Sequence, residues 1–222
     1  MDADELDVLF GSDSSSADEH ESLHPPASSP SSLPLPFEMF DSTQLGGGKG
    51  LRALVFIKAD TEIFLDVATL RCPNSFAAST EAEAMRLQSE CVQLRFERLS
   101  KTAQASLMQL SSHSEAKGEE TISGIFQTNG VRLQGKDSAD GAICETFCRM
   151  NHSCVPNVGH QWNCDLQRLV LMALKDIPLG SEMYTCYGGN ADGTSTTTER
   201  RAHLLKEFKF VCKCEACVID DR

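Results

Sequence analysis

The stretch Arg149-Met150-Asn151-His152-Ser153-Cys154-Val155-Pro156-Asn157 sets an amide, an imidazole and a thiol within four positions, just ahead of a proline. Proline fixes its own backbone angle, so the group of side chains is held on a defined corner. An amide oxygen accepts hydrogen bonds, an imidazole can orient a neighbour or bind metal, and a thiol can become a metal-binding thiolate. A structural turn in a cysteine-bearing loop is the other reading of these nine residues. Near the end of the chain, Phe210-Val211-Cys212-Lys213-Cys214-Glu215-Ala216-Cys217 supplies three thiols in C-x-C-x-x-C spacing. Three is one short of the closed tetrahedral set of structural zinc, so a metal there needs a fourth ligand from elsewhere, and free surface cysteines are the alternative. Tyr184-Thr185-Cys186-Tyr187-Gly188 ends an apolar run with two phenols. Leu45-Gly46-Gly47-Gly48-Lys49-Gly50-Leu51-Arg52-Ala53 has four glycines, which permit positive φ and close approach to a ligand, although a flexible linker has the same composition.

The elements that must position these groups read as a mostly β chain with an α insert, an α+β class. Leu54–Ile57 and Ile63–Ala68 suit short strands joined by a turn at Ala59-Asp60. Residues 80–111 carry apolar positions at three- and four-residue steps after a Thr80-to-Glu83 capping pattern, giving one long helix or two shorter ones. His113 to Glu120 and Leu133 to Gly141 are polar loops, and Ile143 to Phe147 leads into the central motif. Arg168–Leu174 suits a buried strand, Lys175–Gly180 a turn and Ser181–Tyr187 a last strand. Ala191–Thr198 is polar and flexible in composition, and Glu199–Phe208 forms a short helix that delivers the cysteine segment.

Composition narrows the function. The 222 residues suit one domain with a tail. The net charge of −12 is concentrated in residues 1–44, which hold ten of the 32 acids and no Lys or Arg, leaving 22 acids against 20 bases in the body. That near-neutral body gives no sign of a basic surface for direct nucleic-acid binding. Residues 1–44, rich in Ser, Pro and acid, are expected to be a disordered tail; Leu9-Phe10 and Phe37-Glu38-Met39-Phe40 could serve as docking motifs or be solvated. Ten cysteines without an N-terminal apolar signal or a membrane-length run point to an intracellular, reducing compartment, with three or four thiolates on zinc.

An Asn-His-Ser-Cys element, a Tyr-Gly element and a C-x-C-x-x-C element in this order resemble a SET-domain protein lysine methyltransferase with its post-SET zinc segment, of the MYND-linked and fungal SET subfamily. The resemblance covers roughly residues 45–217. It implies a tail over 1–44, a SET domain over 45–208 with a helical insert at 80–120, and a post-SET segment over 209–222. Its fold is several small twisted sheets with a knot-like threading of the C-terminal segment. The cofactor it implies is S-adenosyl-L-methionine, held by backbone groups of Gly48, Lys49, Gly50 and Leu51 and by Asn129, Asn151, His152 and Tyr187, with Phe210 packed on the adenine. A buried histidine satisfied within the core is the competing reading of His152. Aligning Gly180–Tyr187 on the family strand makes Tyr187 the catalytic phenol, with Tyr184 the competing candidate. Cys154 becomes the fourth ligand beside Cys212, Cys214 and Cys217 of a structural zinc ion.

Only Cys91 and His113 in the insert could serve a MYND module, so that module is expected to be missing, as is the helical C-terminal domain of animal members. Asp66 stands where many members have glutamate. The implied partner is a protein substrate, histone or other, with an exposed lysine; neither nucleic acid nor membrane is expected, and the oligomeric state stays open. The implied location is the nucleus, the cytoplasm or both. A zinc-stapled SET module that binds a partner without turnover is the alternative function.

Overall fold

The computed structural model describes residues 34–43, 48–112, 121–189 and 195–219. The expected tail to residue 33, the first glycines at 46 and 47, the loop at 113–120 and much of the Ala191–Thr198 stretch lie outside the described residues. Apart from Pro34, what is described falls in one unit spanning Leu35–Arg222.

Order begins earlier than the acidic, serine-rich composition of residues 1–44 implies. Phe37–Asp41 forms strand β1, antiparallel to β2 at Lys49–Ala53. Phe37 is buried and meets the edge of Phe64 at 5.5 Å between ring centroids. Across the ladder Arg52 donates to Glu38 and stacks over Phe40, 5.0 Å from the ring centre. The expected strand at Leu54–Ile57 is displaced to β2. Leu54, Val55 and Phe56 are exposed, and only Ile57 pairs, in an isolated bridge with Ile177. Backbone pairing on both sides of β2 decides this, not the apolar run that follows it.

After a turn in which Asp60 adopts φ 61°, β3 runs over Glu62–Pro73, five residues past the expected Ile63–Ala68. Two helices follow, α1 at Glu81–Glu97 and α2 at Lys101–Leu107. Thr80 caps α1 by accepting from the Glu83 N–H, and Ser100 caps α2 by accepting from Ala103, so the chain restarts a helix at residue 101. Helix α3, Ile122–Asn129, was not legible from periodicity; Thr121 caps it and leads to β4 at Val131–Arg132 and β5 at Asp140–Cys144. The remaining elements are β6 (Asn151–His152), β7 (Val158–Asn163), β8 (Arg168–Ala173), β9 (Glu182–Thr185), α4 (Thr197–Phe208) and α5 (Glu215–Ile219).

These strands form two sheets, in the orders β1-β2-β9-β6 and β4-β5-β3-β8-β7. Strand β3 joins the halves of the larger sheet. Its residues Glu62–Val67 pair with β8 and Ala68–Pro73 with β5, the register shifting at Ala68/Leu70. Alternate residues of β8, Leu169, Leu171 and Ala173, are buried against Val158, Trp162, Ala142 and Cys144. Burying a leucine side chain fully contributes about 1.5–3 kcal/mol, so β8 anchors the core. The architecture is mostly β, with α1 packed against β3 and α3 against β5 of the larger sheet.

Candidate functional site

The short parallel pair β6–β9 joins the central motif to the C-terminal half, Asn151 beside Tyr184 and His152 beside Thr185. Side chains lace the same two segments. The Asn157 amide accepts from the Tyr184 N–H at 2.7 Å and donates to the Glu182 carbonyl at 2.9 Å. The His152 Nδ1 accepts from the Tyr187 N–H at 2.9 Å, and the Tyr187 hydroxyl donates to the Met150 carbonyl at 2.7 Å. Nδ1 therefore carries no proton, and Nε2–H points at the Cys154 sulfur 3.3 Å away. Burial, aided by the nearby Arg200 and His203, lowers the His152 pKa to about 4, so the ring is neutral. Both ring nitrogens are thus engaged inside the protein.

A cleft of about 920 Å³ opens beside this junction. Of the residues expected from sequence, Gly48, Lys49, Asn129, Asn151, His152, Tyr187 and Phe210 line it together. Phe208 adds a second ring, its centroid 4.8 Å from that of Tyr187, while Phe210 meets Tyr187 edge-on at 6.3 Å. Sequence reasoning missed Phe208, although its two-residue spacing from Phe210 was a usable signal. Lys209 between them takes a left-handed conformation, φ 58°, which ends α4 and lets both rings reach the cleft. Cys148, also missed, lines the wall; its thiol donates to the Asn129 carbonyl at 3.3 Å, and burial pushes its pKa up to about 12. The Asn129 amide nitrogen is spent on the Ser111 and Ile125 carbonyls.

Three expected residues lie elsewhere. Gly50 and Leu51 do not line the cleft: they pair with β1, Leu51 also pairs with Met183 of β9, and its side chain is 3% exposed in the core. A Cβ at Gly50 would stand 2.6 Å from the Glu182 carboxylate, so this glycine makes room behind the cleft. Tyr184 lines a second, polar cleft with Ser42, Arg52 and Glu182, and its hydroxyl donates to Glu182 at 2.9 Å. Burial first, then that carboxylate, raises its pKa. A strand alternates its faces, whereas Tyr187 follows the end of β9 and turns out of the sheet at Gly188, φ 73°.

Gly188 is required on two counts. Its φ is the left-handed value that costs other residues about 1–2 kcal/mol, and a Cβ there would lie 2.4 Å from the buried Nε2 of His203, which has no hydrogen-bond partner among the described residues. Gly188→Ala should therefore destabilise the fold by about 2 kcal/mol, read as a lowered urea midpoint with an unchanged slope.

Asp66 supports the turn before the motif from the far side. The residue is 4% exposed, and its carboxylate accepts from the Phe147 N–H at 2.7 Å and from the Val67 N–H at 3.0 Å. Burial raises its pKa, and the N–H donors of Phe147 and Val67 and the Thr146 hydroxyl pull the other way.

Cys154, Cys212, Cys214 and Cys217 converge with all ligand atoms within 4.8 Å of one another. Cys154 lies 3.9 Å from Cys212 and 3.7 Å from Cys217, sulfur to sulfur. Sulfurs placed tetrahedrally about 2.3 Å from a zinc ion would be about 3.8 Å apart, so the four residues fit that ion, and with four thiols no position is left open for water. Burial pushes the Cys154 thiol up to about 12. Burial also opposes ionisation of Cys214, but the Cys217 and Cys154 N–H groups outweigh it and bring that thiol to about 6. Helix α4 supplies further support: Arg200 reaches the Cys217 sulfur at 3.8 Å, and Arg201 donates to the Cys212 and Cys217 carbonyls. Leu204 and Phe208 pack against the same cluster. The tetrad, His152 and the aromatic wall are therefore one packed unit.

The SET domain family model matches residues 48–188. Histone-lysine N-methyltransferase set5 of Schizosaccharomyces pombe is 31% identical over 79% of this chain and 49% of its own length. Human histone-lysine N-methyltransferase SMYD3 is 37% identical over 33% of this chain and 16% of its own, and bovine N-lysine methyltransferase SMYD2 27% identical over 50% and 26%. The chain thus spans about half the length of set5 and less of the other two.

Proposed function

The chain belongs to the SET-domain family, and on that premise we propose that it is an S-adenosylmethionine-dependent protein-lysine N-methyltransferase acting on a histone or another protein. One observation carries this reading: Lys49, Asn151, His152, Tyr187 and Phe210, from four separate segments, line a single cleft walled by aromatic rings. When bound, S-adenosylmethionine would supply an electrophilic methyl group on a sulfonium sulfur. Gly48 and Lys49 would face it from the loop side, Asn151 would present an amide oxygen to its amino group, and Phe210 would cover its adenine.

The protein's own task is then alignment and control of charge. A lysine amine has a pKa of about 10.4 and must shed its proton before attack. Tyr187 and Phe208 wall the approach with rings that favour the neutral amine. Burial raises the Tyr187 pKa, so the phenol stays protonated; it donates to Met150 and keeps oxygen lone pairs for the reacting centre. A structural zinc ion would be held by Cys154, Cys212, Cys214 and Cys217 and would fix the segment that bears Phe208 and Phe210.

No helix among the described residues is long and apolar enough to cross a membrane; a nuclear or cytoplasmic location is part of the proposal, as is a protein substrate with an exposed lysine. A non-catalytic binding module is the competing reading, and the joint presence of Asn151, His152 and Tyr187 on one cleft weighs against it. Calorimetric titration with S-adenosylmethionine, combined with radiolabelled methyl transfer to histones and cell lysate, tests the reading. Micromolar binding with labelled lysine is expected; binding without any labelled protein would favour the module.

A further inference from the structure

Asn151 is a cleft residue whose amide is oriented by two hydrogen bonds. Its Nδ2 donates to the Lys49 carbonyl at 3.3 Å and to the Glu182 carboxylate Oε1 at 2.7 Å. Both partners are acceptors only, so the amide nitrogen must face them and the oxygen must face away. Oδ1 has no partner among the described residues, on a side chain that lines the cleft.

Glu182 is itself held from the opposite side. Its Oε2 accepts from the Ser42 hydroxyl at 3.1 Å and from the Tyr184 hydroxyl at 2.9 Å. Ser42 is 3% exposed, follows β1 and lies before the stretch matched by the family. Ser42, Tyr184 and Glu182 line the second cleft, of about 490 Å³, so the carboxylate stands between the two clefts. Gly50 provides the space, since a Cβ there would lie 2.6 Å from Glu182 Oε1 and 3.1 Å from Asn151 Nδ2.

We propose that Glu182 is a positioning residue: held by Ser42 and Tyr184, it locks the Asn151 amide with its oxygen toward the cleft, where it receives the ammonium of the cofactor's amino-acid group. This rests on the cofactor reading given above. The lock matters because an amide turned over would present N–H donors to a cation, exchanging attraction for repulsion.

The test titrates two ligands into the full chain. S-adenosylhomocysteine carries the amino-acid group, whereas 5′-methylthioadenosine has the same nucleoside and sulfur without it. Glu182→Ala is expected to weaken the first about tenfold or more and to leave the second unchanged. Glu182→Gln should restore affinity, because its amide oxygen can accept from Asn151 while its nitrogen donates to the two hydroxyls. The double variant with Asn151→Ala should bind no more weakly than Asn151→Ala alone, since Glu182 acts through that residue. If Glu182→Ala does not fold, Ser42→Ala with Tyr184→Phe carries the test and should give a smaller, equally selective loss. Equal weakening of both ligands, or none of either, overturns the proposal while leaving the cofactor site intact. Failure of the unaltered chain to bind either ligand overturns both readings.

Discussion

On the zinc reading proposed above, Cys217→Ser should abolish metal binding and remove about 3 kcal/mol or more of stability, a fall in Tm of about 6–12 °C for a chain of this size. The sulfur of Cys217 sits 3.7 Å from that of Cys154, fully buried, at the point where α4, α5 and the central motif meet. A metal bound only by the folded arrangement stabilises it by its binding free energy, and with three of four ligands that contribution falls steeply. Chelating zinc from the unaltered chain should lower Tm by a similar amount. The same variant should weaken S-adenosylmethionine binding, because Phe208 and Phe210 hang on the segment that the tetrad pins. Zinc content by atomic absorption and a thermal scan on one sample decide the matter. One zinc per chain with an unchanged Tm in Cys217→Ser would mean that these thiols are not the metal centre.

The cysteine tetrad was legible because three of its members fall within six residues, Cys212 to Cys217, and the fourth sits in the most distinctive motif; only the resemblance joined them. What could not be read depends on pairing between distant strands. The four glycines around residue 48 suggest backbone presented to a ligand, yet Gly50 and Leu51 spend theirs on β1 and β9. Strand β1 was hidden by averaging: Phe37 is one buried ring in a region whose composition is that of a tail, and it needs β2 and Phe64 to hold it. Leu54-Val55-Phe56 shows the converse, an apolar run left exposed because the chain turns there. Helix α3 has Gly124 in its first turn, which weakens a helical pattern that Thr121 nonetheless caps. Tyr187 was preferred to Tyr184 on the resemblance alone; that the two phenols line different clefts, Tyr184 within β9 and Tyr187 beyond its end, is not visible to periodicity.

Tyr187→Phe should reduce methyl transfer by about 10²–10³-fold while leaving cofactor affinity little changed, since a preorganised hydroxyl at the reacting centre carries an effect of that size. The hydroxyl is fixed by its 2.7 Å bond to the Met150 carbonyl, and its ring is gripped by His152, Phe208 and Phe210. Removing the oxygen leaves that carbonyl short of a donor, so about 1–3 kcal/mol of stability should be lost as well. Measuring single-turnover transfer below the shifted melting temperature separates the two losses. Tyr184→Phe is the control, because Tyr184 faces the second cleft and supplies only one of the three hydrogen bonds that the Glu182 carboxylate accepts from described residues. Its transfer rate at saturating cofactor should stay close to that of the unaltered chain. A rate for Tyr187→Phe equal to that of Tyr184→Phe would move the reacting nitrogen away from the phenol, to another part of the cleft.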